Sequence, residues 1–433
     1  MTPTAIRGDL LDLTADPGLT ATDPAGVRFD ADHWLLIDGG RIVGRQPEAP
    51  GEGWTHIDHA GRLVMPGFID THVHMPQLEV IASHGTELLD WLNTYTFPAE
   101  TRYADPAVSR AGAALFADAL LAHGTTAAVV FPTVHKVSAE AMFEAAAARG
   151  MRCISGKVLM DRHAPPGLLD DVEQAEADCQ DLIDRWHGRE RQAFALTVRF
   201  APCSTREQLA MAGRLLASRP DLYMQTHVAE NRAEVAWAAE LFPEARSYLD
   251  VYHRHGLLGP RAVLAHGIWL DDADRALLAA TGAQIAHCPS SNLFLGSGLI
   301  GWQALVDAGA AVTLASDVGG GTSLSMPRTL AEAYKVQALK GLKLSAWALL
   351  HAATRGAAQA LHLDDEIGTL QPGCMADVTV WDWAVGPVAA QRDARAASLH
   401  ERFFAWLTLT DDRNLAQTFV AGESRHLRTT EPR

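Results

Sequence analysis

Eight short apolar runs constrain the fold of this chain more than any other feature. They read VMPGFIDTHV, TTAAVVFPTV, RCISGKVLM, LTVRFAPC, LYMQTHVAE, AVLAHGIWL, AQIAHCPSS and AVTLASDVGG. Between most of them lie Ala- and Leu-rich stretches of helical period, such as DPAVSRAGAALFADALLAHG and EVAWAAELFPEARSYLDVYHRHG. Parallel strands need a long crossover between them, and a helix is the usual one, so the alternation implies a parallel sheet. Eight such units over roughly 300 residues fit an α/β fold of the (β/α)8 TIM-like barrel type.

The two ends have a different character. TAIRGDLLDL, DHWLLIDGGRIVGRQ and THIDHAGRLVMP read as strands, with Asp38-Gly39 and Gly39-Gly40 as turn signals. The tail segments GTLQPGCMADVTVWDW and LAQTFVAGESRHL look alike. We expect both ends to form one small β-sandwich domain, with residues 1–65 its N-terminal part, 66–370 the barrel and 371–433 its C-terminal part.

Polar residues gather at the ends of the barrel runs. His72 and His74 close the first, Arg199 the fourth, His227 and Glu230 the fifth, His266 the sixth, His287 the seventh and Asp317 the eighth. Side chains at i and i+2 of a strand share a face, so His72 and His74 point the same way. In a parallel barrel the strand ends meet on one face, where active sites of this fold lie. Residues far apart in sequence would therefore converge.

Three imidazoles (His72, His74, His227) with the carboxylate of Asp317 suit one divalent metal, zinc first and Fe²⁺ the alternative. Such an ion lowers the pKa of a bound water from 15.7 towards about 7 in the best zinc sites. Glu230 follows His227 by three residues. The next residues, NRAE, read as a capping box with Asn231 as N-cap and Glu234 three on. That leaves Glu230 in the loop before a helix, free to move a proton. His266 either ligates the metal or hydrogen-bonds the water, and His287 stays open. The glycines of SDVGGG would let the chain turn sharply after Asp317. His123 reads as a helix-end residue with Gly124 as the C-cap, and Lys157 as structural rather than as a carbamylated bridge between two metals.

Composition narrows the partners. Asp and Glu total 52 against 36 Lys and Arg, a formal charge of -16, and no basic run stands out. Nucleic acid and anionic membranes are therefore not expected partners. The five cysteines are widely spaced with no CxxC, the pattern of reduced thiols in a cytoplasmic protein. The first residues lack a signal-peptide pattern, and the apolar runs are too short to cross a bilayer.

PGFIDTHVHMPQ, HVAE, LAHG and SDVGGG, in this order, resemble the amidohydrolase superfamily in its mononuclear deaminase branch. Within that branch LLDWLNTYTFPAE (Leu88–Glu100), GKVLMDR (Gly156–Arg162), VRFAPC (Val198–Cys203) and HCPSSNLFLGSG (His287–Gly298) resemble the guanine deaminases. The likeness runs over roughly residues 60 to 370, and His163 stands where the pattern has Asn. The other zinc-deaminase signature, HxE with PCxxC, is missing, since Pro202-Cys203 is followed by Ser-Thr-Arg.

The resemblance implies His72, His74, His227 and Asp317 on the metal, Glu230 as proton shuttle, and Gln77, Arg199 and Phe200 against a purine. His227 and Glu230 would also face the substrate, and Trp91 would be a pocket wall or a core residue. Arg199, with donors only, suits a carbonyl oxygen, while Gln77 can read an amide edge. The implied reaction is hydrolysis of guanine to xanthine and ammonia. Glu230 would protonate N3, a metal-activated water deprotonated by Asp317 would attack C2, and His266 would help hold the intermediate. The family also implies a homodimer. The alternatives are a deaminase of a related heterocycle such as 8-oxoguanine, a pterin or an aminotriazine, a cyclic-amide hydrolase of the dihydroorotase type, and a non-enzymatic scaffold.

Overall fold

The computed structural model describes residues 2–85 and 88–429. The chain divides into two compact units, one of residues 1–69, 118–127 and 325–433, the other of 70–117 and 128–324.

In the first unit, β1 (Thr4–Leu13), β2 (Val27–Asp38), β3 (Arg41–Gln46) and β4 (Thr55–Pro66) come from the N-terminal segment. The remaining strands of the chain are β5 (Phe68–His74), β6 (Thr125–Phe131), β7 (Arg152–Ser155), β8 (Val158–Leu159), β9 (Gln192–Val198), β10 (Tyr223–Val228), β11 (Ala262–His266), β12 (Gln284–His287), β13 (Val312–Leu314), β14 (Val378–Trp381), β15 (Leu415–Val420) and β16 (Glu423–Leu427). A β-sandwich-like sheet of seven strands runs in the order β16-β15-β14-β4-β1-β2-β3. The two chain ends join where β14 pairs antiparallel with β4, Val380 opposite Val64. Gly39 and Gly40, both with positive φ, make the two-residue turn between β2 and β3. The inward residues Ile6, Leu10, Leu35, Val64, Val378 and Phe419 form one apolar cluster.

The other sheet runs β13-β12-β11-β10-β9-β7-β6-β5, with β8 beside β9. β7 and β9 to β13 pair in parallel. The first strand meets the last through Thr71 Oγ1 donating to the Leu314 carbonyl (3.0 Å) and Asp317 N–H to the His72 carbonyl (2.9 Å). This is the nearly closed parallel barrel, with helices between the strands. Every residue of β5, β6 and β9 is buried, as expected for strands covered on both faces. The helix Val172–Trp186 buries Ala175, Cys179, Leu182, Ile183 and Trp186, one stripe of helical period, and Asp171 caps its start. Trp186 stacks on Phe143.

Two elements differ from their sequence reading. The run RCISGKVLM is two strands, interrupted at Gly156-Lys157. A Cβ on Gly156 would lie 2.0 Å from the Ala195 carbonyl oxygen, so the backbone passes too close there for any other residue. The stretch EVAWAAELFPEARSYLDVYHRHG is two helices, Arg232–Leu241 and Tyr248–Arg254. Pro243 disfavours the helical conformation at Phe242, which sits at φ −130° and ψ 63°. All five cysteines are free and buried. Among the described residues no helix is long and apolar enough to cross a membrane.

Candidate active site

The strand tips of the barrel carry the site. His72 and His74 end β5, His227 lies one residue before the end of β10, His266 ends β11, and Asp317 lies three residues beyond β13. Ala229, His266 and Asp317 adopt positive φ (48°, 73° and 49°). For residues with a Cβ that conformation costs about 1–2 kcal/mol each, and such strain is concentrated at functional positions. The glycines after Asp317 serve closeness rather than positive φ. A Cβ on Gly321 would fall 1.8 Å from the Ser316 carbonyl oxygen, and one on Gly319 2.6 Å from that of Gln77.

His74 Nε2 lies 3.2 Å from His72 Nε2 and 3.2 Å from His227 Nε2. Asp317 Oδ1 lies 3.2 Å from His72 Nε2 and 3.3 Å from His74 Nε2. His227 Nδ1 donates to the Arg199 carbonyl at 2.5 Å, so its Nε2 presents a bare lone pair. Burial pushes His74 down to about 3 and His227 well below the usual histidine range, so both rings are neutral. Burial alone would raise Asp317, but the hydrogen bonds of His72 and His74 and the charges of His72 and His266 outweigh it and hold the carboxyl well below its usual range. Imidazole nitrogens facing one another beside a carboxylate are a donor set for a divalent cation. Four of the donor–donor distances, at 3.2–3.3 Å, match the edge of about 3.3 Å expected between neighbouring donors that share one ion at about 2.0 Å. The donor atoms of His72, His74, His227 and Asp317 all lie within 4.8 Å of one another. An overlapping group is His72, His266, Cys288 and Asp317.

His266 Nδ1 donates to Asn292 Oδ1 at 2.8 Å. Its Nε2 is left 3.4 Å from Glu230 Oε2 and 3.7 Å from Asp317 Oδ2, with no hydrogen-bond partner. Glu230 is buried, and Ser297 Oγ donates to its Oε1 at 3.0 Å. Burial first, then the Asp317 charge, pushes its carboxyl up to about 8, so it keeps a proton at neutral pH. The predicted capping box is present, and the Glu234 carboxylate also accepts from the Glu230 N–H at 2.9 Å. Tyr248 Oη holds Glu234 from the other side at 2.7 Å. Glu234 therefore fixes the backbone that presents Glu230.

One pocket, about 430 Å³ with its open mouth, is lined by His74, His227, Glu230, His266 and Asp317 together with Gln77, Trp91, Arg199 and Phe200. His72 stands behind it as the partner of His74. Trp91 both lines the pocket and belongs to the apolar cluster of Leu92, Phe97, Phe131, Phe200 and Leu295. Arg199 Nη1 donates to Glu100 Oε2 at 2.6 Å.

Several residues fall elsewhere. His287 is fully buried with its ring edge-on to Trp302, away from the donor set, and its neighbour Cys288 is the residue that approaches the site. Lys157 is buried against Asp170 and is in neither donor group. His123 Nδ1 donates to the Ala119 carbonyl just past its helix, with Gly124 at φ 80°. His163 has φ 53°, a left-handed conformation that both His and Asn tolerate. Sequence reasoning missed Glu100, Asn292 and Ser297 as site residues. Glu100 closes the quoted LLDWLNTYTFPAE segment and the other two lie within HCPSSNLFLGSG, but neither segment says which atoms they touch.

The amidohydrolase family model matches residues 63–425. The guanine deaminase of Escherichia coli K12 is 43% identical over 427 residues, covering 96% of each chain. Among solved structures, guanine deaminase from Bradyrhizobium japonicum superposes with a TM-score of 0.94 at 33% identity, over 99% of this chain and 100% of that one. Guanine deaminase from C. acetobutylicum, solved with bound guanine in the active site, gives 0.88 at 26% identity, over 98% and 99%. The chain belongs to the amidohydrolase family, in its guanine deaminase branch.

Proposed function

We propose that this protein hydrolyses guanine to xanthine and ammonia. The observation that carries the reading is one pocket holding a His/Asp donor set, a buried glutamate and an arginine beside an amide. We assign His72, His74, His227 and Asp317 to a single divalent ion, zinc first and Fe²⁺ the alternative. Bound there, the ion supplies a nucleophilic water at neutral pH.

The chain's own groups do the rest. Arg199 donates to the purine carbonyl and Gln77 reads the adjoining N–H, while Phe200 and Trp91 flank the ring. Glu230 arrives protonated and gives that proton to N3, which makes C2 electrophilic. Asp317 takes the proton of the attacking water. His266, its Nδ1 committed to Asn292, accepts a hydrogen bond at Nε2 from the O–H of the incoming oxygen. As the C2–N bond breaks, Asp317 passes its proton to the amine, which leaves as ammonia, while the remaining hydroxyl proton goes to Glu230, restoring it and leaving the C2 carbonyl of xanthine.

The barrel, taken as residues 66–370, would be the catalytic part, with 1–65 and 371–433 forming the β domain. We further infer a homodimer in the cytoplasm, where five buried thiols would stay reduced. The test is metal content together with ammonia release from guanine, 8-oxoguanine, a pterin and an aminotriazine. We expect about one ion per chain and fastest release from guanine. Metal-loaded protein that leaves guanine untouched would refute the proposal.

A further inference from the structure

Glu100 lies behind the pocket and is fully buried. Its Oε2 accepts from Arg199 Nη1 at 2.6 Å and its Oε1 from Gln77 Nε2 at 3.1 Å. Gln77 Oε1 in turn accepts from the Gly319 N–H at 3.1 Å, which fixes the amide's orientation. Phe97, in the same short helix as Glu100, places its ring centroid 5.2 Å from the Arg199 guanidinium carbon. One carboxylate thus aims both groups assigned to the purine edge.

The pairing also sets the charge. A buried arginine without a counter-ion attracts any anion, and low dielectric magnifies the attraction. Glu100 cancels that charge at close range while leaving the other guanidinium N–H groups as directional donors. Guanine is neutral at its carbonyl and needs donors rather than net charge. The product carries a second ring carbonyl, which acidifies its ring N–H, so it loses a proton far more readily than guanine. An unneutralised Arg199 would retain that anion.

We propose that Glu100 is a specificity-determining positioning residue. By pairing with Arg199 and Gln77 it fits the pocket to neutral purine lactams and against anionic purines, the deprotonated product among them. The inference rests on the guanine reading above.

The experiment measures inhibition of guanine turnover by xanthine and by hypoxanthine, using metal-loaded full-length protein at mildly alkaline pH. There xanthine is largely an anion, and hypoxanthine is a neutral lactam of similar shape. Glu100→Gln should tighten xanthine relative to hypoxanthine by about tenfold over the wild type. A merely structural carboxylate would weaken both inhibitors together, and an unchanged ratio overturns the proposal. Glu100→Asp keeps the charge but shortens the reach. It should raise the guanine KM about tenfold, hold kcat within about threefold, and leave the inhibitor ratio as in the wild type. An unchanged KM in that variant also overturns the proposal, and this arm decides if Glu100→Gln does not fold. Wild-type protein that neither deaminates guanine nor binds hypoxanthine would refute the deaminase reading and this inference with it. With both wild-type arms intact, failure belongs to Glu100 alone.

Discussion

The corner of the pocket formed by His72, His74, His227 and Asp317 and the corner formed by Arg199, Gln77 and Glu100 are held together differently. In the first, imidazole nitrogens and a carboxylate oxygen face one another at 3.2–3.3 Å. In the second, a guanidinium and an amide donate to a shared carboxylate, so the polar groups satisfy each other. The first arrangement calls for a cation between its members, while the second keeps its shape without one. On the proposed assignment the first corner should control turnover, and the second should control which ring is held and how tightly.

The sharpest way to break that division is to remove the metal. His227→Ala, or chelation of the wild type, should abolish ammonia release while hypoxanthine binding, read by calorimetry, stays within about tenfold. Equal loss of both would show that the purine corner depends on the ion. Next in size, Glu230→Gln should lower kcat by about 10²–10⁴-fold with metal content unchanged. Near-normal turnover would remove Glu230 from the chemistry.

The same residue predicts a stability effect of defined sign. Its folded carboxyl is raised to about 8, so the folded state holds a proton that the unfolded chain releases near the ordinary glutamate value of 4.5. Metal-free protein should lose stability as pH rises between those values, and Glu230→Gln should flatten that decline in thermal melts. A loaded cation offsets the Asp317 charge but not the burial, so the alkaline limb of kcat/KM should fall between the same two limits.

Arg199→Ala comes third, with a roughly 10–100-fold drop in kcat/KM for guanine and a smaller one for a purine lacking the carbonyl. A uniform loss across purines would deny Arg199 its recognition role. The smallest effect expected is that of Ser297→Ala. The serine hydroxyl favours the charged form of Glu230, so its removal should move the alkaline limb upward, with kcat changed only about two- to fivefold. A shift to lower pH would contradict the hydrogen bond's assigned direction.

The two corners also differed in how far the sequence revealed them. His72 and His74 declare themselves locally, because period two in a strand puts both rings on one face. His227, His266 and Asp317 follow once eight alternating units imply a barrel whose strand tips converge. Glu100 does not, since it meets Arg199 across 99 residues and Gln77 across 23, and nothing in its own neighbourhood marks a carboxylate as buried. His287 and Cys288 show a finer limit. Both close the same run, and only the geometry of β12 tells which one approaches the site. Backbone closeness was equally hidden, as at Gly156, where a neighbouring carbonyl rather than local propensity breaks the strand.

We propose that separate strand tips share one cation. X-ray absorption at the metal edge of the purified protein tests it most directly. One ion with imidazole and carboxylate donors at about 2.0–2.2 Å is the predicted result. A sulfur shell at about 2.3 Å, which would recruit Cys288, or an ion without imidazole scattering would contradict it.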